Sequence, residues 1–419
     1  MKFSGLIDRK VLSNYFYLLL LQGANFLLPL ITLPYLIKTL GIEKFGTVMI
    51  AASFITFFNI LVDFGFNISA TREVSLIREN KEELSEFFWS VMSAKLLLLA
   101  AGLVILSVLV WTVPKFHRES AVYLLSYGVV AGQALFPAWF FQGIENMRTI
   151  TVINVIAKAI FTVLIFLLIK NPAQYVLVPL LNSLGFIIAG SIGLAVSLRY
   201  IYLRKPVVRK MRRLLGESSY LFLSNFSTNL YTSANTFILG MFAGDHLAGI
   251  YSSMEKLVIA LKSMYIPFYQ ASFPWLSRKK FREKLRFINR IRPVVFVVGL
   301  SLSLLIGIFA DVILKLIYHK PEINAYSNVF RLLGLIALFS GLGMMYVLLL
   351  FPALKMFKER MQVMVSGGLI NITLALILVQ FFDIYGIAVS AVTTEFLLFL
   401  TGHYIFMKKV IGHAKEVTR

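Results

Sequence analysis

Long apolar runs separated by short polar stretches make up most of this chain. A helix needs about 20 apolar residues to cross roughly 30 Å of hydrocarbon. Twelve runs meet that length: 13–37, 45–70, 88–112, 120–142, 149–169, 173–200, 218–243, 247–276, 293–318, 328–352, 361–381 and 384–407. Because the connectors are too short to form a soluble domain, the pattern predicts an all-α polytopic membrane protein.

The composition agrees with this pattern and narrows the chemistry. Hydrophobic residues make up 58% of the 419 residues and charged residues only 15%, whereas soluble proteins average roughly 45–50% and about 25%. There is no cysteine, which excludes disulfides, thiol nucleophiles and cysteine-based metal sites. The five histidines form no HxxxH pair, so we expect neither a metal site nor a cofactor.

Positive charge is distributed unevenly between alternate connectors. The net charge is +21, and 29 of the 41 Lys and Arg residues fall in the connectors on one side, against 7 on the other. This bias identifies the basic side as cytoplasmic. We therefore expect an even number of spans and both termini in the cytoplasm. Nucleic-acid binding is not expected, because no domain is available to carry it.

Two connectors, at 204–213 and 278–292, hold most of the excess of basic residues on the inner side. In the second, Phe281, Leu285, Ile288 and Ile291 recur at helical spacing, which predicts an amphipathic helix on the membrane surface. Attraction to anionic lipids explains such segments. A specific phosphate or partner site is the alternative.

A weak internal repeat divides the chain into halves of six spans. Gly41 and Gly46 are each followed by another glycine 203 residues later, at Gly244 and Gly249, and Gln22 aligns with Asn225 in the same way. The predicted units are residues 1–203 and 204–419. We expect two six-helix lobes around a central cavity.

Charged residues inside spans mark the candidate site, because each costs ~2.5–3.5 kcal/mol at a helix centre. They are Asp63, Lys158, Glu255, Lys256, Lys262 and Glu395. Glu255 and Lys262 share a helix face two turns apart. One interpretation is that Glu255 and a nearby lysine neutralise each other to permit burial. The other is a cavity for an anionic head group, coupled to a proton. Lys95 lies near the inner surface and is expected to snorkel.

Polar side chains also line the first and seventh spans. Gln22 and Asn25 share a face of the first span, and Asn225, Asn229 and Asn235 follow helical spacing in the seventh. Such stripes either hold helices together or line a cavity that accepts sugar hydroxyls.

Five stretches together resemble the O-antigen (Wzx-type) flippases of the multidrug/oligosaccharidyl-lipid/polysaccharide (MOP) exporter superfamily. They are LLPLITLPYLIKTLGIEKFG (27–46), DFGFNISATREVS (63–75), FQGIENMRTITVINVIAK (141–158), NLYTSANTFILGMFAGDHLAGIYSSMEKLVIA (229–260) and YGIAVSAVTTE (385–395). The resemblance implies a bacterial inner-membrane protein that carries undecaprenyl-pyrophosphate-linked oligosaccharide from the cytoplasmic to the periplasmic leaflet. It implies ion-coupled alternating access, and a polysaccharide polymerase or chain-length protein as a possible partner. The first two spans lack the arginine cluster of the related lipid II flippases, which argues against a peptidoglycan precursor.

Mapped onto these stretches, the hypothesis assigns a role to each candidate residue. The cationic lining comprises Arg72, Lys158, Lys256 and Lys262, of which Lys262 lies outside the matching stretches. The coupling carboxyl is one of Asp63, Glu145, Glu255 and Glu395. The polar lining comprises Asn229 and Asn235 within the stretches, and Gln22, Asn25 and Asn225 outside them, which rest on the polar stripes alone.

Two other classes of membrane protein stay open as alternatives. A polymerase or lipid-linked glycosyltransferase is disfavoured because the outer connectors carry only isolated acids, and no paired-carboxylate site is visible. A multidrug antiporter would favour buried acids for cationic drugs, whereas lysines predominate here. We therefore expect a transporter and not an enzyme.

Overall fold

A computed structural model of the protein is helical almost throughout. The structure describes the backbone of residues 9–411 and the side chains of residues 20–409, apart from 26, 224, 228, 230–232 and 274. The chain divides into two compact units, one ending at Phe226 and the other starting at Ser227. The sequence-based boundary between residues 203 and 204 stays a prediction, and the terminal residues on which the topology prediction depends lie outside the described range.

The first unit contains long apolar helices and short connecting ones. In chain order they are α1 (Arg9–Leu40), α2 (Ile42–Asp63), α3 (Phe66–Ile77), α4 (Lys81–Thr112), α5 (Pro114–Arg118), α6 (Ser120–Leu135), α7 (Ala138–Gly143), α8 (Met147–Leu168) and α9 (Leu177–Ser197). A 3-10 turn, Pro172–Val176, precedes α9.

The second predicted span is broken near its middle. Helix α2 ends at Asp63, and Phe64 and Gly65 have left-handed backbone conformations, with φ values of 45° and 81°. A side chain on Gly65 would place Cβ 2.7 Å from the Cβ of Leu221. Only glycine fits this close approach, and the break leaves Asp63 at a helix end inside the membrane-spanning region.

The second unit is built from the later helices. Helix α10 (Val208–Ser263) crosses from the first unit and is followed by α11 (Tyr265–Ser277), α12 (Phe281–Tyr318), α13 (Pro321–Asn324), α14 (Ser327–Met344), α15 (Phe351–Ala353) and α16 (Phe357–Ile405). A π-helical turn, Met345–Leu350, extends α14.

Nine stretches of the described chain are long and apolar enough to cross a membrane. The last of them, Phe357–Lys409, contains two predicted spans, because Asp383 interrupts α16 with φ 44° and ψ −123°. Helix α10 also contains two segments, joined at Gly244. Its first segment corresponds to the seventh predicted span, and its second segment together with α11 corresponds to the eighth. All twelve predicted spans therefore have helical counterparts.

The basic segment after residue 280 is helical, as predicted, but it continues into the ninth span as α12. Its apolar residues Leu285, Ile288 and Ile291 pack into the core of the second unit. Lys284 is buried among them, and its ammonium donates a hydrogen bond to the Ala353 carbonyl. The prediction that the segment lies on the membrane surface stays a prediction.

The backbone conformation supports the internal repeat at one matching pair of glycines, Gly41 and Gly244. Gly41 has φ 78° and ψ 164°, and Gly244, 203 residues later, has φ 89° and ψ 172°. This region of conformational space is almost exclusive to glycine. Each glycine joins two long helices in its half, so the matching offset corresponds to a matching joint.

Helices α6 and α9 approach closely through glycines. A Cβ on Gly190 would lie 2.4 Å from the Gly132 carbonyl oxygen, and a Cβ on Gly132 would lie 2.3 Å from the backbone of Phe186. Small residues at such contacts let helix backbones pack in membranes. The contact fixes the position of two helices that line the cavity described below.

We predict that Gly190→Ala destabilises the protein, because the added methyl has no room; overpacking of this kind costs about 1–3 kcal/mol. The matched control is Gly307→Ala, where no atom lies within 4 Å of the added Cβ and the helix gains roughly 0.5–1 kcal/mol from replacing glycine. Thermal unfolding of the two purified variants in detergent measures the difference. Equal midpoints would contradict the close packing.

Candidate functional site

A polar cavity of about 420 Å³ lies inside the first unit. Helices α1, α2, α4, α6, α8 and α9 contribute to its wall, together with the short helices α3 and α7. Its charged and amide side chains are Asn25, Asn59, Asp63, Asn67, Lys95, Gln133, Gln142, Asn154 and Lys158. A cavity with this lining within apolar helices is the strongest candidate site in the described chain.

Lys158 is one of the charged residues that line this cavity. Its ammonium donates a hydrogen bond to the side-chain oxygen of Asn25 and lies 5.9 Å from the centre of the Phe186 ring. The sequence had assigned Lys158 to the cationic lining and Asn25 to the polar lining, and the structure brings the two together. The amide is neutral, so it solvates the ammonium without cancelling its charge.

Lys95 is a second buried cation in the same cavity. Its side chain is only 4% exposed, and its Nζ lies 3.8 Å from Oδ1 of Asp63. The expectation that Lys95 snorkels to the inner surface is therefore wrong: the side chain turns toward the carboxylate, which stabilises a buried ammonium better than apolar surroundings can.

Asp63 lies at the break between α2 and α3, where its carboxylate is close to the backbone N–H groups of Gly65 and Asn67. Such N–H groups are among the donors that the start of a helix leaves without intrahelical partners. The same carboxylate faces Lys95.

The second unit contains a different charged pair. The ammonium of Lys262 on α10 donates a hydrogen bond to the carboxylate of Glu395 on α16. Their side chains are 13% and 9% exposed. From the sequence, Lys262 was a candidate cargo contact and Glu395 a candidate coupling carboxyl. The structure pairs these two side chains directly.

Glu255 has neutral hydrogen-bond donors. The hydroxyl of Thr236 donates to its Oε2 at 2.9 Å, and the hydroxyl of Tyr251 lies nearby. Lys256 and Lys262 are both close enough to Glu255 for an electrostatic interaction, although Lys262 donates directly to Glu395. Neutralisation of Glu255 by a nearby lysine stays a prediction. Asn235 is buried beside this group, 3.4 Å from the Tyr251 hydroxyl.

The other predicted site residues lie outside the cavity. Arg72 on α3 and Lys256 on α10 are exposed in the structure. Glu145 lies between α7 and α8 at a left-handed position and pairs with Arg78 at 3.2 Å. Gln22, Asn225 and Asn229 are half-buried.

Sequence reasoning missed Lys95 and most of the amides. A recognisable signal was present for some: Asn59 precedes Asp63 by four residues, and Asn154 precedes Lys158 by four, so each pair shares a helix face. For Gln133 and Gln142 no comparable spacing was available. Within the described residues, no three His, Asp or Glu side chains come together as a metal site.

We predict that Lys262→Met or Glu395→Leu alone destabilises the protein strongly, because breaking a buried pair leaves an uncompensated charge and costs about 3–5 kcal/mol. The double variant should be more stable than either single one. A double-mutant cycle on thermal unfolding measures this coupling, and additive effects would mean that the pair does not interact.

Comparisons with known proteins add an independent line of evidence. A protein of Escherichia coli (strain K12) named for O-antigen transport is 25% identical over 396 residues, covering 92% of this chain and 94% of its own length. A protein of Shigella dysenteriae with the same name is 28% identical over 408 residues, covering 95% and 99%.

Solved structures match the whole architecture. The inward-facing conformation of a multidrug resistance MATE family transporter of the MOP superfamily aligns with a TM-score of 0.69 at 14% identity, covering 93% of this chain and 96% of that one. The predicted fold class, an all-α membrane protein of two six-helix lobes, is confirmed by this match. Residues 11–280 match the family described as Polysaccharide biosynthesis protein. This multi-pass membrane protein belongs to the polysaccharide biosynthesis protein family, with the fold of the MOP superfamily.

Proposed function

We propose that the protein is a flippase that moves undecaprenyl-pyrophosphate-linked oligosaccharide from the cytoplasmic to the periplasmic leaflet of a bacterial inner membrane. The observation that carries the proposal is the cavity of the first unit, where Lys95 and Lys158 outnumber the single carboxylate of Asp63. The two relatives named for O-antigen transport support the same cargo class.

The chemistry of the cargo fits this lining. A pyrophosphate is best held by ammonium groups through charge-assisted hydrogen bonds, and a glycan needs amide donors and acceptors. The prenyl tail stays in the lipid, so only the polar head needs a protected path. A surplus of cations also disfavours cationic drugs, which distinguishes the proposal from multidrug antiport.

The remaining predicted residues keep their roles within the proposal. Further cationic contacts come from Arg72, Lys256 and Lys262. Polar contacts come from Gln22, Asn25, Asn225, Asn229 and Asn235. An ion gradient drives transport through one of Asp63, Glu145, Glu255 and Glu395.

The same proposal includes the orientation of the protein in the membrane and its partners. Both termini face the cytoplasm, and the exposed basic residues at 278–292 attract anionic lipids there. A polymerase or chain-length protein receives the cargo on the other side. Translocation makes and breaks no covalent bond, so the protein acts as a transporter without enzymatic activity.

We predict that Lys158→Gln reduces export of surface polysaccharide about tenfold or more, because the variant keeps a polar amide donor but loses the positive charge. The measurement is complementation of a strain that lacks the gene. The matched control, Lys38→Gln, removes an exposed lysine of α1 outside the cavity and should complement fully.

The location of the accumulated intermediate separates the flippase from a polymerase. In the deletion strain, lipid-linked oligosaccharide should accumulate on the cytoplasmic face, where a label that cannot cross the membrane does not reach it. Accumulation on the periplasmic face would contradict the proposal.

A further inference from the structure

We propose that His403 is a proton-binding site of the second unit, and that protonation of its imidazole loosens the packing of α16 against the end of α14. The site comprises the side chains of His403, Tyr346 and Arg292, which come from three different helical segments. The inference goes beyond the proposed function, because it does not depend on the identity of the cargo.

Two irregular helical turns lie beside the site. One π-helical turn, Met345–Leu350, carries Tyr346, and a second, Phe406–Ile411, begins three residues after His403. A π-helical turn is rare and is frequently found at functional sites. The first turn packs against α16, so the backbone is irregular on both sides of the contact between Tyr346 and His403.

The hydrogen bond between these two side chains has a defined direction. The Tyr346 hydroxyl lies 2.9 Å from Nδ1 of His403, and it is also close to the guanidinium group of Arg292. A guanidinium group has donors only, so Nδ1 is the acceptor that the hydroxyl has among the described residues. The arrangement therefore fits a neutral imidazole with its hydrogen on Nε2.

Protonation of the imidazole removes this acceptor. Nδ1 then carries a hydrogen and becomes a donor, so the Tyr346 hydroxyl faces two donors. Its own hydrogen has to turn toward the surrounding rings, which are those of Phe351, Phe399 and Phe406. Tyr346 is fully buried, and a buried donor without an acceptor is costly. Opening the contact to water relieves this cost.

The protonated imidazole also meets a like charge. Arg292 is close enough to His403 for an electrostatic interaction, and no carboxylate in the described part of the chain pairs with either residue. The other charged or titratable side chains at this end of the unit have close neighbours of their own, in the pairs Lys409–Glu359, Lys408–Tyr404 and Lys284–Lys355. The added charge is therefore not offset.

Protons can reach the site although its centre is buried. His403 is half-buried, whereas its partner Tyr346 is fully buried. Histidine is the side chain whose charge ordinarily changes between about pH 5 and 8. The neutral form of His403 thus holds the end of α14 against α16 near neutral pH, and the protonated form releases it.

The absence of cysteine from the chain permits a spin-label test of this release. Asn289→Cys on α12 and Met407→Cys near the end of α16 replace two exposed residues, and each cysteine carries one label. Double electron–electron resonance on the purified full-length protein in detergent should show a longer or broader distance distribution at about pH 6 than at about pH 8. The change should reverse on return to the higher pH, and an unchanged distribution overturns the inference.

Three variants in the doubly labelled protein test the assigned roles. His403→Asn places an amide near the position of Nδ1 and cannot be protonated, so it should abolish the response to pH. Tyr346→Phe removes only the hydroxyl, and Arg292→Gln removes the like charge, so each should reduce the response. The matched control is His117→Asn, which replaces an exposed histidine of α5 and should leave the response unchanged.

A full response in His403→Asn would assign the effect of pH to another group and would overturn the inference. If that variant does not fold, an undiminished response in Tyr346→Phe has the same meaning. The result also separates from that of the flippase test. Unchanged label distances with cytoplasmic accumulation of the lipid-linked glycan would remove only the inference, whereas a response to pH with periplasmic accumulation would remove only the proposed function.

Discussion

An ammonium group cannot remain in a hydrocarbon layer without polar partners, and this constraint organises both units of the protein. In the second unit, Lys262 meets the carboxylate of Glu395, and the two charges cancel. In the first unit, Lys95 and Lys158 share a cavity with one carboxylate and a set of neutral amides. In the second unit this lysine is thus neutralised by a direct partner, whereas the cavity of the first unit leaves positive charge available to a ligand.

The available charge depends on an interruption of a helix. A continuous second span would satisfy its own backbone donors, so no free N–H groups would lie near Asp63. The left-handed residues Phe64 and Gly65 end α2 early, and the start of α3 brings backbone N–H groups close to the carboxylate. The close contact of Gly65 with Leu221 then ties this break to the first part of α10. Backbone irregularity inside a membrane is tolerated where it lines a polar cavity.

The sequence predicted those features of the fold that depend on the order of residues along the chain. Apolar length predicted the helices, and a fixed offset of two glycines predicted the repeat. It failed for Lys95, because the distance of a residue from a helix end does not tell which side of the helix faces a carboxylate. It could not pair Lys262 with Glu395, because these residues are 133 positions apart in the chain and meet only through the packing of α10 against α16. The break at Asp383, by contrast, falls in the gap between the predicted spans 361–381 and 384–407.

The matching joints at Gly41 and Gly244 provide a register for comparing the halves. At their common offset of 203 residues, Asp63 and Lys95 fall on Ile266 and Val298, so the ion pair of the first half has no equivalent in the second. The glycine at this joint has a backbone conformation that other residues seldom adopt, so it recurs in both halves. The charged side chains near it differ between the halves. A chimera made of two first halves would therefore carry the Asp63–Lys95 pair twice, and one made of two second halves would lack it.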